Sequence, residues 1–360
     1  MLNKKSLKSI GLWLVVGIIM IMVQIILGGV TRLTGSGLSI TEWKPLLGAI
    51  PPLNETDWEL AFQKYQEIAQ FKHLNSHFSL SDFKFIYFWE WFHRLWGRLL
   101  GVVFLIPFVI FWVKGYFTKN MIWPLVILFI LGGLQGVIGW IMVQSGLNNE
   151  DLYVSHIRLS IHFIAALVLL VYTFWFALKL LIPDRKILTA PRLRNFAIII
   201  TVILIIQLIY GAFMAGLKAG VFAPTWPDIN GAAVPPGLST VNGKEVSLLV
   251  AFINNPIAVH FIHRNLAYLL TILIFVWTFK AWKEKSDPLF NTLKLLPAIL
   301  VIMQVFLGIL STLTSVKAVP QGWGVFEWNA QLHQITGILL LLSLTFVIYV
   351  LNGQKMRKDT

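Results

Sequence analysis

The chain has 360 residues, is 57% hydrophobic and only 12% charged, and carries a formal net charge of +13 with 15 Trp and no Cys. A soluble domain is about a quarter charged, so this chain has too little polar surface to coat a water-exposed body and belongs in a bilayer. The lack of Cys excludes disulfides, thiolate metal sites and a cysteine nucleophile. The basic residues lie between apolar runs rather than in a domain of their own, which excludes a nucleic-acid binder.

Eight apolar runs reach the ~20 residues that cross a hydrocarbon core. They cover 11–30, 85–113, 121–143, 156–182, 195–217, 256–279, 295–315 and 328–351. The first follows Met1-Leu-Asn-Lys-Lys as a signal peptide would. It is too long for one, and Gly28-Gly-Val-Thr-Arg-Leu-Thr-Gly-Ser-Gly has no small-x-small cleavage site, so it counts as a span. Lys84, Glu90, His93, Arg94 and Arg98 crowd the start of the second.

Basic residues gather on one side of the membrane. Lys4, Lys5 and Lys8 precede the first span. Lys114 and Lys119 follow the second, and Lys179, Arg185, Lys186, Arg192 and Arg194 follow the fourth. Lys280, Lys283, Lys285 and Lys294 follow the sixth, and Lys355, Arg357 and Lys358 end the chain; together these are more than half of the 29 Lys and Arg. The long connections 31–84 and 218–255 fall on the other side. The positive-inside tendency then predicts cytoplasmic termini, and no Arg-rich transit segment leads the chain, so a bacterial plasma (inner) membrane is expected.

The second half of the chain repeats the first. Gln24-Ile-Ile-Leu-Gly28 matches Gln207-Leu-Ile-Tyr-Gly211 at an offset of 183, shared by Trp43 and Trp226. His93-Arg94 matches His263-Arg264 at 170, Gln135 and Gly139 match Gln304 and Gly308 at 169, and His162 matches His333 at 171. The matches keep their order. They predict an all-α integral membrane protein whose eight transmembrane helices form two pseudo-symmetric four-helix bundles, 1–182 and 183–360. Each half has an even number of spans, so the two are expected to be related by rotation about the membrane normal.

The repeat also sorts the eight His. His73 and His77 lie in a polar loop and read as surface. His156 and His260 have no counterpart and read as packing or supporting residues. His93, His162, His263 and His333 pair across the repeat, and each has a small residue four positions on: Gly97, Ala166, Ala267 and Gly337. Residues i and i+4 share a helix face, so a His above a small residue leaves a shelf for a planar macrocycle. Two imidazoles facing across a four-helix bundle suit haem iron. A non-haem metal wants three or more close ligands, and each half offers two repeated His. Arg94, Arg264 and Arg158 are placed to pair with propionates. Glu90, three residues before His93, has His260 as its counterpart, so a membrane carboxylate breaks the symmetry in one half only. Such carboxylates are costly and usually functional; a salt bridge to Arg94 is the structural alternative.

Four stretches carry a family resemblance: Gly28-Gly-Val-Thr-Arg-Leu-Thr-Gly-Ser-Gly-Leu-Ser, Glu90-Trp-Phe-His-Arg-Leu-Trp-Gly-Arg, Phe261-Ile-His-Arg and Gln331-Leu-His-Gln. Through them the chain resembles the haem A synthases over roughly 11–350, in the branch without an outer-loop cysteine pair. The resemblance implies a haem-dependent oxidoreductase that oxidises the C8 methyl of haem O to a formyl, through successive hydroxylations and loss of water, giving haem A for terminal oxidases. It implies a substrate haem on His93 and His162 with Arg94 nearby, and a haem b cofactor on His263 and His333 with Arg264. These four His would be the iron ligands, and Glu90 the catalytic residue beside the reacting methyl. The partners it implies are haem O from a haem O synthase and an unidentified electron donor; a homo-oligomer or a complex with the haem O synthase stays open. The sequence departs from the family pattern at His260, where Gln is expected, and at His156, where an aromatic is expected. A dihaem b-type subunit oxidising quinol shares the paired His and is the main alternative; a transporter built on a parallel repeat is a third.

Overall fold

A computed structural model of the chain describes residues 4–44, 47–284 and 287–353. In chain order its helices are α1 (Lys4–Leu33), α2 (Glu55–Gln66), α3 (Leu80–Val113), α4 (Lys119–Gln144), α5 (His156–Leu181), α6 (Pro191–Gly216), α7 (Ala219–Phe222), α8 (Leu248–Asn254), α9 (Pro256–Trp282), α10 (Pro288–Leu293), α11 (Leu296–Thr314) and α12 (Val325–Val350). A two-stranded hairpin, β1 (Thr240–Val241) and β2 (Lys244–Glu245), turns on Asn242-Gly243 with φ of +50° and +76°, the left-handed pair that a tight hairpin requires.

Among the described residues, eight helices are long and apolar enough to cross a membrane: α1, α3, α4, α5, α6, α9, α11 with its flanking turns, and α12. The chain is therefore an all-α, multi-pass membrane protein, and each predicted run falls on one of these helices. The second span starts at Leu80 rather than 85 because Ser79 and Asp82 form a reciprocal capping box that satisfies the first free backbone donors.

The helices pack in a pattern that repeats. In the first half α1 packs on α3 and α5, and α4 packs on α5; in the second, α6 packs on α9 and α12, and α11 packs on α12. One contact differs. α9 and α11 pack together, whereas α3 and α4 barely touch. Contacts α5–α6, α5–α12 and α1–α12 join the halves. The central window of α12 is 67% buried and that of α3 is 0% buried, which puts α12 at the middle of the molecule and α3 at its lipid-facing edge.

The connections 34–79, 145–155, 217–255 and 315–324 meet at one end, the long-loop end. The predicted basic connections meet at the other; Lys285, Lys355, Arg357 and Lys358 lie outside the described residues. Two local devices position the long-loop end. At the end of α1, Gly35 adopts φ +69° while Ser36 N donates to Thr31 O and Gly35 N to Arg32 O. This left-handed cap ends the helix and swings the chain toward α3. At the start of α9, the Asn255 side chain accepts from Ile257 N and Ala258 N and donates to Gly237 O and Thr240 O, tying the long connection to the helix that bears His260 and His263.

Pro107 sits inside α3. It has no N–H, so the carbonyl four residues back, that of Val103, loses its helical donor. The Trp13 indole N–H of α1 donates to that carbonyl at 2.9 Å. Trp13→Phe should therefore destabilise the protein in detergent by about 1–2 kcal/mol, the cost of an orphaned buried acceptor. In a Pro107→Ala background, where Ala supplies an N–H, the same change should cost clearly less. Equal melting-temperature losses in both backgrounds would show that the indole bond does not serve the proline defect.

A paired-histidine cavity

One cavity of about 1580 Å³ runs through both halves and is lined by His93, His162, His263 and His333. It exceeds the ~300–1,000 Å³ of an ordinary single-ligand pocket. Each His stands against a glycine of a neighbouring helix. A Cβ added at Gly28, Gly139, Gly211 or Gly308 would lie 3.2, 2.8, 3.4 or 2.9 Å from Cε1 of His93, His162, His263 or His333 respectively. At Gly139 and Gly308 a methyl would enter the space of the ring, at Gly28 it would be tight, and at Gly211 it would make ordinary contact.

Four residues before each glycine stands a glutamine: Gln24, Gln135, Gln207 and Gln304. Each amide nitrogen approaches its histidine ring, at 3.3 Å from His93 Nε2, 3.2 Å from His162 Nδ1, 3.4 Å from His263 Nε2 and 3.3 Å from His333 Nε2. Gln135 and Gln207 also donate to the backbone carbonyls of His162 and His263, at 2.9 and 3.0 Å. His333 Nδ1 donates to Gln304 O at 3.0 Å, which makes Nε2 the acceptor facing the Gln304 amide. Gly97, Ala166, Ala267 and Gly337 all line the cavity, as the shelf reading requires. They have a further use: a Cβ at Gly97 or Gly337 would come within 3.4 or 3.2 Å of the Gln24 or Gln304 amide.

The donor set fits an axial imidazole pair. The ring centroids of His263 and His333 are 6.3 Å apart with the planes at 74°. With Nε2 about 1.1 Å from the centroid and a metal–imidazole bond of about 2.0 Å, two imidazoles across one metal ion have centroids about 6 Å apart. Among the described residues, no three His, Asp or Glu side chains converge as a closed non-haem site would need. The Oε1 atoms of all four glutamines and Nδ1 of His93 and His263 are buried without a partner. A folded protein rarely leaves such atoms orphaned, so the protein alone only partly satisfies the polar edges of these rings and amides.

Glu90 lines the cavity at 3% exposure. Its Oε2 accepts from Ser39 Oγ at 2.7 Å and from Ile40 N at 2.9 Å, and its Oε1 pairs with Arg94. The turn at Gly35 delivers Ser39 and Ile40 to this carboxylate. Arg94 also donates to Ile40 O at 2.9 Å and Glu42 O at 3.1 Å. Lys44 and Lys64 each pair with the Glu42 carboxylate at 2.8 Å and hold its pKa below the ordinary carboxylate value. The second half keeps the arrangement but not the charge. His260, 2% exposed, stands where Glu90 stands, and its Nε2 accepts from Arg264 at 3.0 Å. Arg264 also donates to Thr225 O at 2.8 Å, Pro227 O at 3.0 Å and Asp228 O. Both arginines thus line the cavity while tying its covering loop down.

Of the remaining histidines, His260 lines the cavity and His156 does not. The Nε2–H of His156 donates to Ile253 O at 3.1 Å and its ring packs edge-on against Phe213. His73 and His77 are exposed, and His77 also lines the cavity, which the surface reading of the sequence did not anticipate. Arg158 departs from expectation: it lies outside the cavity and donates to Ile141 O at 2.9 Å, because the last turn of α4 offers it free carbonyls. Sequence reasoning used Gln24, Gln135, Gln207 and Gln304 only as markers of the repeat. The signal missed was that Gln-x-x-x-Gly occurs on all four helices facing a ligand-type His, not on two matched pairs alone.

Topology and site define a polytopic membrane protein with two pairs of histidines lining one internal cavity. The model of the COX15-CtaA family, described as "Cytochrome oxidase assembly protein", matches residues 11–345. A heme A synthase of Flavobacterium psychrophilum is 40% identical over 348 residues, 96% of this chain and 98% of the relative. One of Flavobacterium johnsoniae is 38% identical over 357 residues, 97% and 99% of the two chains. One of Rhodospirillum centenum is 41% identical over 346 residues, 96% and 89%. The chain belongs to the COX15-CtaA family.

The glycine contacts grade a test. Gly308→Ala, with its Cβ 2.9 Å from His333, should lower bound haem per purified chain or turn its optical and EPR signature high-spin, whereas Gly211→Ala, at 3.4 Å from His263, should stay near wild type. Equal effects of the two would contradict the glycine contact as what seats the ring.

Proposed function

We propose that this chain is a haem A synthase that oxidises the C8 methyl of haem O to the formyl of haem A. The substrate haem lies between His93 and His162, and a haem b cofactor lies between His263 and His333. The observation that carries the split is Glu90. Two similar pockets share one cavity, and the N-terminal pocket places the Glu90 carboxylate where the C-terminal pocket has His260. Glu327 of α12, which also lines the cavity, is held by Val319 N and Gly324 N. When bound, haem b supplies reversible one-electron transfer between an external donor and the substrate pocket.

The chain's own residues do the rest. His93 and His162 set the plane of the macrocycle. Arg94, Ser39 and the Ile40 amide fix the direction of the Glu90 carboxylate. A held carboxylate in low dielectric stabilises positive charge developing at the methyl and takes the proton released there. Arg94 and Arg264 place fixed positive charge beside the rims of the two macrocycles and keep the long loops closed over them. The protein sits in a bacterial plasma membrane with both termini in the cytoplasm and the long-loop end outside. Haem O arrives from a haem O synthase, dioxygen is the oxidant of the methyl, and an external donor supplies through the haem b pocket the electrons that complete the reduction of dioxygen to water.

His263→Ala and His333→Ala should each lower haem b content in purified, folded protein; His156→Ala, at a residue outside the cavity, should be milder. Full haem b occupancy in both pocket variants sinks the cofactor assignment. Glu90→Gln should keep haem b and accumulate haem O or its alcohol in place of haem A, read by extraction and chromatography of the pigments. A purely structural Glu90–Arg94 pair predicts a lower yield of folded protein with normal haem A output per molecule.

A further inference from the structure

Four arginines line the cavity: Arg32, Arg94, Arg98 and Arg264. Three are committed elsewhere. Arg94 and Arg264 hold loop carbonyls, and Arg98 donates to Lys44 O at 2.9 Å. The guanidinium of Arg32 has no hydrogen-bond or ion-pair partner among the described residues. Its nearest electrostatic neighbour is Glu327 of α12, whose carboxylate is already occupied by Val319 N at 2.9 Å and Gly324 N at 2.8 Å.

The position of Arg32 is informative. It lies in the last turn of α1, four residues after Gly28, which touches the His93 ring. Residues i and i+4 share a face, and helical side chains lean back toward the N-terminus. The guanidinium therefore overlies the turn that seats His93. Three residues before Arg32, Gly29 meets the other half: a Cβ there would be 2.4 Å from Gln331 Oε1 and 2.9 Å from Gln334 Oε1 of α12. Gln331 is 3% exposed, and neither its amide nitrogen nor its amide oxygen has a partner. A free guanidinium and a buried free amide thus share the α1–α12 seam beside the N-terminal pocket. Snorkelling to lipid headgroups would carry the arginine out of the molecule, yet it lines the cavity. At the offset that relates α1 to α6, 183 residues, Arg32 falls on Ala215, so the second half has no equivalent.

We propose that Arg32 is the carboxylate-binding residue of the N-terminal pocket, pairing with a propionate of the macrocycle held by His93 and His162. A guanidinium offers a carboxylate two parallel N–H donors, and the site is free to accept them. The inference rests on the reading of that pocket as a haem site. It also separates the two pockets a second time: the N-terminal pocket uses an arginine where the matching position of the second half is Ala215.

The test is a Soret titration of the purified full-length protein, carrying its resident haem, with haem O and with haem O dimethyl ester. Wild type should bind the diacid about tenfold tighter than the ester, the order expected of one charged hydrogen-bonded pair. Arg32→Leu should bind both at the ester's affinity, Arg32→Lys should recover part of the preference, and haem b content by pyridine haemochrome should be unchanged. Arg32→Leu retaining the full preference for the diacid overturns the proposal. So does a loss of haem b with the titration unaltered, which would give the carboxylate to the C-terminal pocket. If wild type binds neither form, the substrate-pocket reading falls and takes this proposal with it.

Discussion

An imidazole ring inside a bilayer has to be seated and its polar edge answered, and this protein solves that problem four times with the same parts. A glycine on the neighbouring helix gives the ring room, and a glutamine one turn away puts its amide beside a ring nitrogen. The helix packing follows from this contact. α1 must approach α3, α4 must approach α5, α6 must approach α9, and α11 must approach α12, closely enough for a Cα to touch an imidazole. Those pairs are among the most extensively packed in the molecule. A small residue four positions after each His then keeps the cavity wall open and, at Gly97 and Gly337, leaves room for the glutamine.

Chemistry enters where the repeat fails. Glu90 faces His260 across the pseudo-symmetry, yet each sits four residues before an arginine that closes its loop. The framework is conserved between halves and the charge is not. Arg32 against Ala215 is a second break, and the loose α3–α4 contact against the packed α9–α11 contact is a third. All three fall in the N-terminal half. A pocket that must admit, orient and release a substrate needs a reactive group, a recognition charge and a less tightly closed wall; a pocket that keeps a resident cofactor needs none of these.

Much of this was legible in the sequence because bilayer and repeat leave period-scale signals. Run lengths placed all eight spans, and the matched offsets separated His93, His162, His263 and His333 from His156 and His260. The start of α3 was placed late because its first turn is polar and is set by the Ser79–Asp82 cap, a local signal weaker than hydropathy. Contacts across long sequence separation stayed hidden. Nothing in the sequence marks Ser39 and Ile40 as the partners of Glu90, because the turn at Gly35 brings them there only in three dimensions. Arg158 was misplaced for the opposite reason: helix periodicity puts it on the face of His162, but the free carbonyls ending α4 draw it away.

The central claim is that two like pockets hold unlike haems. It is tested most directly by the identity and stoichiometry of the pigments in the purified, full-length protein, taken from cells that supply haem O and harvested without oxygen. The account predicts about one haem b per chain plus a second, separable fraction of haem O, in keeping with a cavity larger than the ~300–1,000 Å³ of a single-ligand pocket. Two equivalents of haem b per chain, with no haem O or haem A at all, would contradict it and make the protein a dihaem electron carrier instead.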